Sequence, residues 1–132
     1  MCIRFIFDEG IGYDFATGLR LTGKNVEHVL DTFTPGTKDE VWLEYAGEKQ
    51  LVLITKDKNI RRKPNEKALL LKYKIVAFYL GGSESSGHDM LLQLVKIWPT
   101  MEQEAKRQFE KGLAGAFMIR PGGGKIVRIP LT

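Results

Sequence analysis

Leu51-Val52-Leu53-Ile54-Thr55-Lys56-Asp57 opens on a nearly continuous apolar run and closes on an acid. The run leaves no polar face, so a strand over residues 51–55 must be covered on both sides, as in a parallel sheet between two layers of helices. Cys2-Ile3-Arg4-Phe5-Ile6-Phe7-Asp8 has the same form and predicts a strand over residues 2–7. Between the two runs, Ile11, Phe15, Leu19 and Thr22 recur at helical spacing, and Gly23 occupies the left-handed stop position. Residues 25–29 read as a short strand. Strand, helix and strand in that order imply parallel pairing through a right-handed crossover.

The same alternation continues along the chain. Residues 38–49 predict a helix with Thr37 as its N-cap and Glu40, three residues on, closing a capping box. Lys63-Pro64 marks a break, residues 65–73 carry good helix formers, and Ile75 to Leu80 form a fourth buried strand. Residues 81–87 read as a loop, with Ser86 and Asp89 at the start of a helix that packs Met90, Leu91, Leu94, Val95 and Trp98 inward. Pro99 is expected to end or kink that helix before a more polar one over residues 101–111, with Met101 and Phe109 facing inward. Residues 116–120 and 125–131 flank Pro121-Gly122-Gly123-Gly124 as a hairpin. No repeat or interdomain linker interrupts the pattern, so the expectation is one α/β domain over residues 1–132.

The 132 residues suffice to bury a core of ordinary size without a staple. Cys2, the single cysteine, rules out an intramolecular disulfide, and its place in the first apolar run suggests a buried side chain in a reducing compartment. No apolar stretch approaches the roughly 20 residues of a membrane span, and the opening run is too short for a secretory signal. We therefore expect a soluble, cytoplasmic protein. The net charge of +4 and pI near 9.2 mildly favour phosphate-rich partners. Lys56, Lys58, Arg61, Arg62 and Lys63 surround Asp57, whereas Asp39, Glu40, Glu44 and Glu48 make the preceding helix acidic.

Ligands of parallel α/β sheets bind beyond the carboxyl ends of the strands. Asp8 and Asp57 both fall there, and Asp39 opens a helix that must start at the same edge to return to the bottom of the sheet. Taken singly, each has an ordinary explanation: a turn residue, or a favourable charge at a helix N-terminus. Together they would repel one another unless a divalent cation compensated the charge. An all-oxygen set suits Mg²⁺ or Mn²⁺. His28 and His88 are far apart in sequence and offer no competing nitrogen set. Core packing is expected for Trp42, Tyr73 and Trp98, with Tyr13 the exception.

Phe5-Ile6-Phe7-Asp8-Glu9, the segment Asp39 to Ala46, and Thr55-Lys56-Asp57 followed by Ile60 resemble the signature of PIN domains, and most closely that of small members related to VapC toxins. The resemblance also runs through Arg61, Arg62, Pro64, Asn65 and Glu66. It implies a three-layer α/β/α sandwich with a central, mainly parallel sheet, a C-terminal helical segment and a short hairpin. It further implies a metal-dependent endoribonuclease in which Asp8, Asp39 and Asp57 are catalytic and hold one or two Mg²⁺ or Mn²⁺ ions while water attacks the scissile phosphate. Glu9 and Glu40 are further candidate ligands. The family carries an additional acid between the first and third positions; residues 12–36 offer only Asp14 and Asp31 without a motif, and Glu9, Glu40 or Glu66 are candidate substitutes. Lys56, Lys58, Arg61, Arg62 and Lys63 are the candidate RNA-binding residues. The implied partners are RNA, a cognate antitoxin and a second copy of the chain in a homodimer, with no membrane.

Two other readings use the same residues. A catalytically degenerate PIN-like module would bind RNA or protein without cutting. A receiver-like signalling domain also carries acids after its first strand and an aspartate after its third, but it leaves Asp39 without a role and lacks the expected residues on the later strands.

Overall fold

Each apolar run becomes a strand: β1 (Phe5–Phe7), β2 (Val26–His28), β3 (Val52–Thr55), β4 (Val76–Leu80), β5 (Gly115–Ile119) and β6 (Ile126–Ile129). The helices are α1 (Tyr13–Leu21), α2 (Val29–Thr32), α3 (Asp39–Glu48), α4 (Pro64–Lys72) and α5 (Gly87–Lys111). The computed structural model describes residues 2–57, 62–81, 87–120 and 125–131. Its strands form a six-stranded sheet in the order β2-β1-β3-β4-β5-β6, parallel throughout except for β6, which runs antiparallel to β5. This is the mainly parallel α/β architecture that the sequence predicts.

Alternation along the strands divides the core in two. Phe5, Phe7, Val52, Ile54, Val76 and Phe78 meet α1 and α5 on one face. Ile6, Leu53, Ala77 and Tyr79 meet α3 and α4 on the other. Trp98 on α5 packs against Phe5, with ring centroids 4.5 Å apart, and Trp42 on α3 is equally sealed. Full burial of side chains this large is worth roughly 1.5–3 kcal/mol each or more, so the two sealed faces outweigh any single polar contact in fixing the layers.

Three helices hand over to strands or loops through the same device. Lys24 N donates to Leu19 O, Leu51 N to Ala46 O and Ile75 N to Leu70 O, each closing a turn whose preceding residue is left-handed. That residue is Gly23 after α1, at φ 84°, but Gln50 and Lys74 after α3 and α4, at φ 56° and 54°. The last two turns deliver the chain straight into β3 and into the run leading to β4.

Several local expectations are corrected. The N-cap of α3 is Lys38, with no side-chain capping bond. The Thr37 hydroxyl instead donates back to Thr34 O, so Glu40 has no capping task. The capping box lies at α2, where the His28 ring accepts from Leu30 N and the Asp31 carboxylate accepts from His28 N. Cys2 is exposed because β1 begins only at Phe5. The long C-terminal helix runs through Pro99; the missing N–H forfeits one intrahelical bond, but Ile97, Trp98 and Met101 are buried on both sides of it and hold the helix on the sheet. The expected start at Ser86 and the glycine turn 121–124 lie outside the described residues.

Gly47 is where α3 meets the end of α4. A Cβ there would come within 2.4 Å of Tyr73 Cγ and 2.5 Å of Tyr73 Cβ, atoms too close to the backbone to swing aside. Gly47→Ala should therefore cost roughly 1–3 kcal/mol despite the better helix propensity of alanine, read as a lower urea midpoint at unchanged slope. An unchanged or higher midpoint would mean that α3 and α4 can slide apart without loss.

Candidate active site

β1 and β3 pair with Phe7 opposite Ile54, so one residue further along Asp8 faces Thr55. Ile6 and Leu53 point into the α3 and α4 side of the sheet, and alternation sends Asp8 and Thr55 to that same side. The Thr55 hydroxyl donates to Asp8 Oδ2 at 2.5 Å and accepts from Asp57 N at 2.9 Å. One threonine thus fixes both strand-end aspartates. Asp8 is only 7% exposed, and its second oxygen, Oδ1, is buried with no hydrogen-bond partner.

Two helix starts bring further acids to this edge. Asp39 lies in the first turn of α3, its Oδ1 accepting from Trp42 Nε1 at 3.1 Å. Glu66 lies in the first turn of α4 and is 7% exposed, with Oε2 buried and unpartnered. Lys63 stands between two of the acids, its Nζ 3.9 Å from Asp57 Oδ2 and 4.0 Å from Glu66 Oε1.

The electrostatics follow from burial and from like charges. Loss of water raises the pKa of Asp8 to about 6; the Thr55 hydrogen bond opposes the rise, and Asp39 and Asp57 add to it. A hydrogen bond to a charged group returns about 1.5–3 kcal/mol, less than burial of this carboxylate costs. Burial likewise raises the pKa of Glu66, with Lys63 opposing and Asp39 and Glu40 reinforcing. Asp39 on α3 therefore acts on both Asp8 after β1 and Glu66 on α4, and Asp57 after β3 acts on Asp8.

The donor set is of the kind a hard cation takes: carboxylates from four elements, two of them with a buried, unpartnered oxygen. Among the described residues, no three His, Cys, Asp or Glu side chains stand at a spacing that would enclose an ion as they are, so enclosure requires the side chains to draw together. In donor chemistry, though not in spacing, these residues suit a hard cation such as Mg²⁺ or Mn²⁺.

The remaining candidates are distributed around this edge. Glu9 is exposed and accepts from Gly36 N at 2.9 Å, a tie between the loops that follow β1 and α2. Glu40 is exposed and reaches the cluster through its charge on Glu66. Asp31 is committed elsewhere: Tyr13, Arg20 and the His28 amide all bond it, and together they hold its pKa below the usual range against the opposing effect of burial. Lys56, next to Asp57 in the chain, is exposed, and Arg62 is exposed and lies along α4 beside Pro64, Lys67 and Leu71. Lys58 and Arg61 lie outside the described residues.

Thr55 and Lys63 have roles that sequence reading did not assign. Thr55 was legible as the first residue of Thr-x-Asp, but its bond to Asp8 depends on the β1–β3 register. Lys63 belongs to the basic stretch by composition and to the acid cluster by position. Glu66 was one of several substitutes for the family's additional acid; burial and the effect of Asp39 on it distinguish it from Glu9 and Glu40.

An acid that holds its proton more tightly when folded favours folding as pH falls. Asp8 therefore weighs against the fold above about pH 6, and that penalty disappears as pH falls past its ordinary value of 3.8. Asp8→Asn, which keeps an acceptor for Thr55, should be more stable than the parent at pH 7 by on the order of 2–3 kcal/mol. Urea titrations should show the difference shrinking toward zero near pH 4; a variant no more stable at pH 7 would contradict the burial account.

No curated protein and no solved structure matches the chain. The model of the family described as PIN like domain matches residues 3–82, the segment that carries β1 to β4 and all four acids. That is more than half of the chain, and it includes Asp8, Asp39, Thr55, Asp57 and Glu66 at the edge just described. PIN-like domains are commonly nucleases, and this chain belongs to the PIN-like domain family.

Proposed function

We propose that the chain is a Mg²⁺- or Mn²⁺-dependent endoribonuclease, the toxin of a VapBC-type toxin-antitoxin pair, acting in the cytoplasm. The observation that carries the reading is the buried Asp8 carboxylate, tied to Thr55 by one oxygen and unpartnered at the other, within the electrostatic reach of Asp39 and Asp57. Such an arrangement costs stability, and the Thr55 and Gly10 hydrogen bonds do not offset the burial, which is what a carboxylate placed for a cation looks like.

Asp8, Asp39 and Asp57 would hold the ion, with Glu66 beside them. When bound, the ion neutralises phosphate charge and makes a water more acidic. The chain's own residues do the rest. Thr55 holds Asp8 in place through one oxygen, leaving the other for the ion. The loop after β3 places Asp57 on the Thr55 hydroxyl and presents Lys56 outward, where its charge favours encounter with an RNA backbone. Arg62, exposed ahead of α4, would add a second cation for such an encounter. A cognate antitoxin that covers this edge would shield the acids and Lys56 together.

A degenerate binding module is the second reading, and the spacing of the acids, which does not enclose an ion as it stands, is the observation in its favour. Activity separates the two. Purified protein with Mn²⁺ should cleave single-stranded RNA, and Asp8→Asn or Asp57→Asn should each lower the rate by at least ~10²-fold while the circular dichroism spectrum stays unchanged. Parent-level cleavage by both variants would defeat the assignment, and binding without cleavage by the parent would select the degenerate module.

A further inference from the structure

Among the described residues, the left-handed positions are Gly23, Gly36, Gly112, Gln50 and Lys74. Glycine adopts that conformation freely, whereas a residue with a Cβ is strained there. Gln50 and Lys74, at φ 56° and 54°, are thus the two places where the chain keeps a side chain against the preference of its backbone. Both are exposed, and among the described residues no hydrogen bond or ion pair holds either side chain. Strain kept without a structural return points to a ligand.

The two residues line one cavity. It has a volume of about 180 Å³ and lies at the amino edge of the sheet, where Leu51 and Ile75 lead into β3 and β4. Its walls include Tyr73, Phe109 and Leu113. Phe109 packs with the core on the α1 and α5 side and Tyr73 with the core on the α3 and α4 side, so the cavity sits where the two apolar layers part. Leu113 is 59% exposed there, apolar surface that an occupant would cover. The acids are remote. Asp39 and Glu66 open α3 and α4, and the cavity lies at the other ends of those helices, roughly 14 Å away at the rise of an α-helix.

Charge selects the occupant. α3, α4 and α5 all end here, and a helix C-terminus carries about half a negative charge. The amides of the left-handed turns already take the carbonyls of Ala46, Gly47, Leu70, Leu71 and Phe109. Around the mouth, Lys49, Lys72, Lys74 and Lys111 are exposed against Glu48 and Glu110. Lys49 lies over the Tyr45 ring and Lys72 over the Tyr73 ring, and Lys74 is the one charged residue in the lining. A full positive charge on the wall outweighs half charges whose carbonyls are bonded, and the Gln50 amide can donate beside it. An apolar cavity of about 150 Å³ holds benzene, so there is room for one ring and a short acidic arm. We propose that this cavity binds a small aromatic carboxylate, its ring against Tyr73 and Phe109 and its charge on Lys74 and Gln50. Such a site owes nothing to the acid edge.

Titration of isotope-labelled protein with phenylacetate, followed by amide shifts in two-dimensional NMR, tests this. Saturable shifts should centre on Gln50, Tyr73, Lys74 and Gly112. Phenylacetamide and benzylamine, of similar size, should bind at least ~10-fold more weakly, the factor expected of one charged contact. Lys74→Met keeps the stem and should bind phenylacetate no better than the parent chain binds the amide. Gln50→Gly and Lys74→Gly should leave the urea midpoint unchanged or higher, because glycine relieves the strain. A lower midpoint in both would mean that the side chains serve the fold, and would overturn the proposal. So would the absence of saturable shifts at the cavity, equal binding of the three probes, tighter binding of benzylamine, or parent-level binding by Lys74→Met.

Discussion

The chain reverses the direction in which it adds strands at β1, and the rest of the site depends on that reversal. β2 pairs on one side of β1 and β3 on the other. The connection after β1 therefore passes over one face of the sheet through α1, while the connection into β3 returns over the other through α3. Between the diverging connections the carboxyl ends of β1 and β3 are left open. Asp8 and Thr55 meet in that gap because the parallel register sets them side by side, and because each lies two residues beyond one that faces α3 and α4. Those two helices start at the same edge, so their first turns supply Asp39 and Glu66.

The apolar frame and the acidic edge pull in opposite directions energetically. Phe5, Phe7, Trp98, Trp42 and Tyr79 are sealed to within about 1%, and the layers they fix cannot relax to let water reach Asp8. That rigidity is what keeps a carboxylate at 7% exposure with one oxygen unpartnered. Thr55 offsets part of that cost from within the sheet, and Lys63 does the same for Glu66 from the surface. A network of Arg20, Asp31, Tyr13 and His28 supports the loop after β1: the buried His28 ring bonds Ile11 O through Nε2 at 2.7 Å while its other nitrogen caps α2. The loop that carries Asp8 is thus held from two sides, by Thr55 in β3 and by His28 at the end of β2.

Much of the fold was legible because both faces of the sheet are buried. Continuous apolar runs in residues 2–7, 51–55 and 75–80 admit few readings other than covered parallel strands, and the three aspartates fell where such strands or the next helix must end or begin. The errors are local. Thr37 and Glu40 have the spacing of a capping box, but Thr37 bonds Thr34 and the helix starts one residue later than that box requires. The box at His28 and Asp31 escaped notice because its acceptor is an imidazole and not a hydroxyl. Cys2 sits in an apolar run, yet pairing between β1 and β2 begins only at Phe5. Thr55, Lys63 and Glu66 could not be given their roles from sequence, because each role is a distance between elements: the register of β1 on β3, or the approach of the α4 start to the loop after β3. Local pattern predicts an element; it does not predict which of two neighbouring cations turns inward.

The central claim is that these acids are a cation site and not a strained surface. Anomalous scattering at the manganese edge, from crystals grown with Mn²⁺, tests it most directly. The account predicts a peak among the carboxylates of Asp8, Asp39 and Asp57, with Asp8 Oδ1 turned to the ion and Thr55 still on Oδ2. An acid edge without density, with Glu66 and Asp39 sharing a proton and Mn²⁺ absent or bound elsewhere, would contradict it.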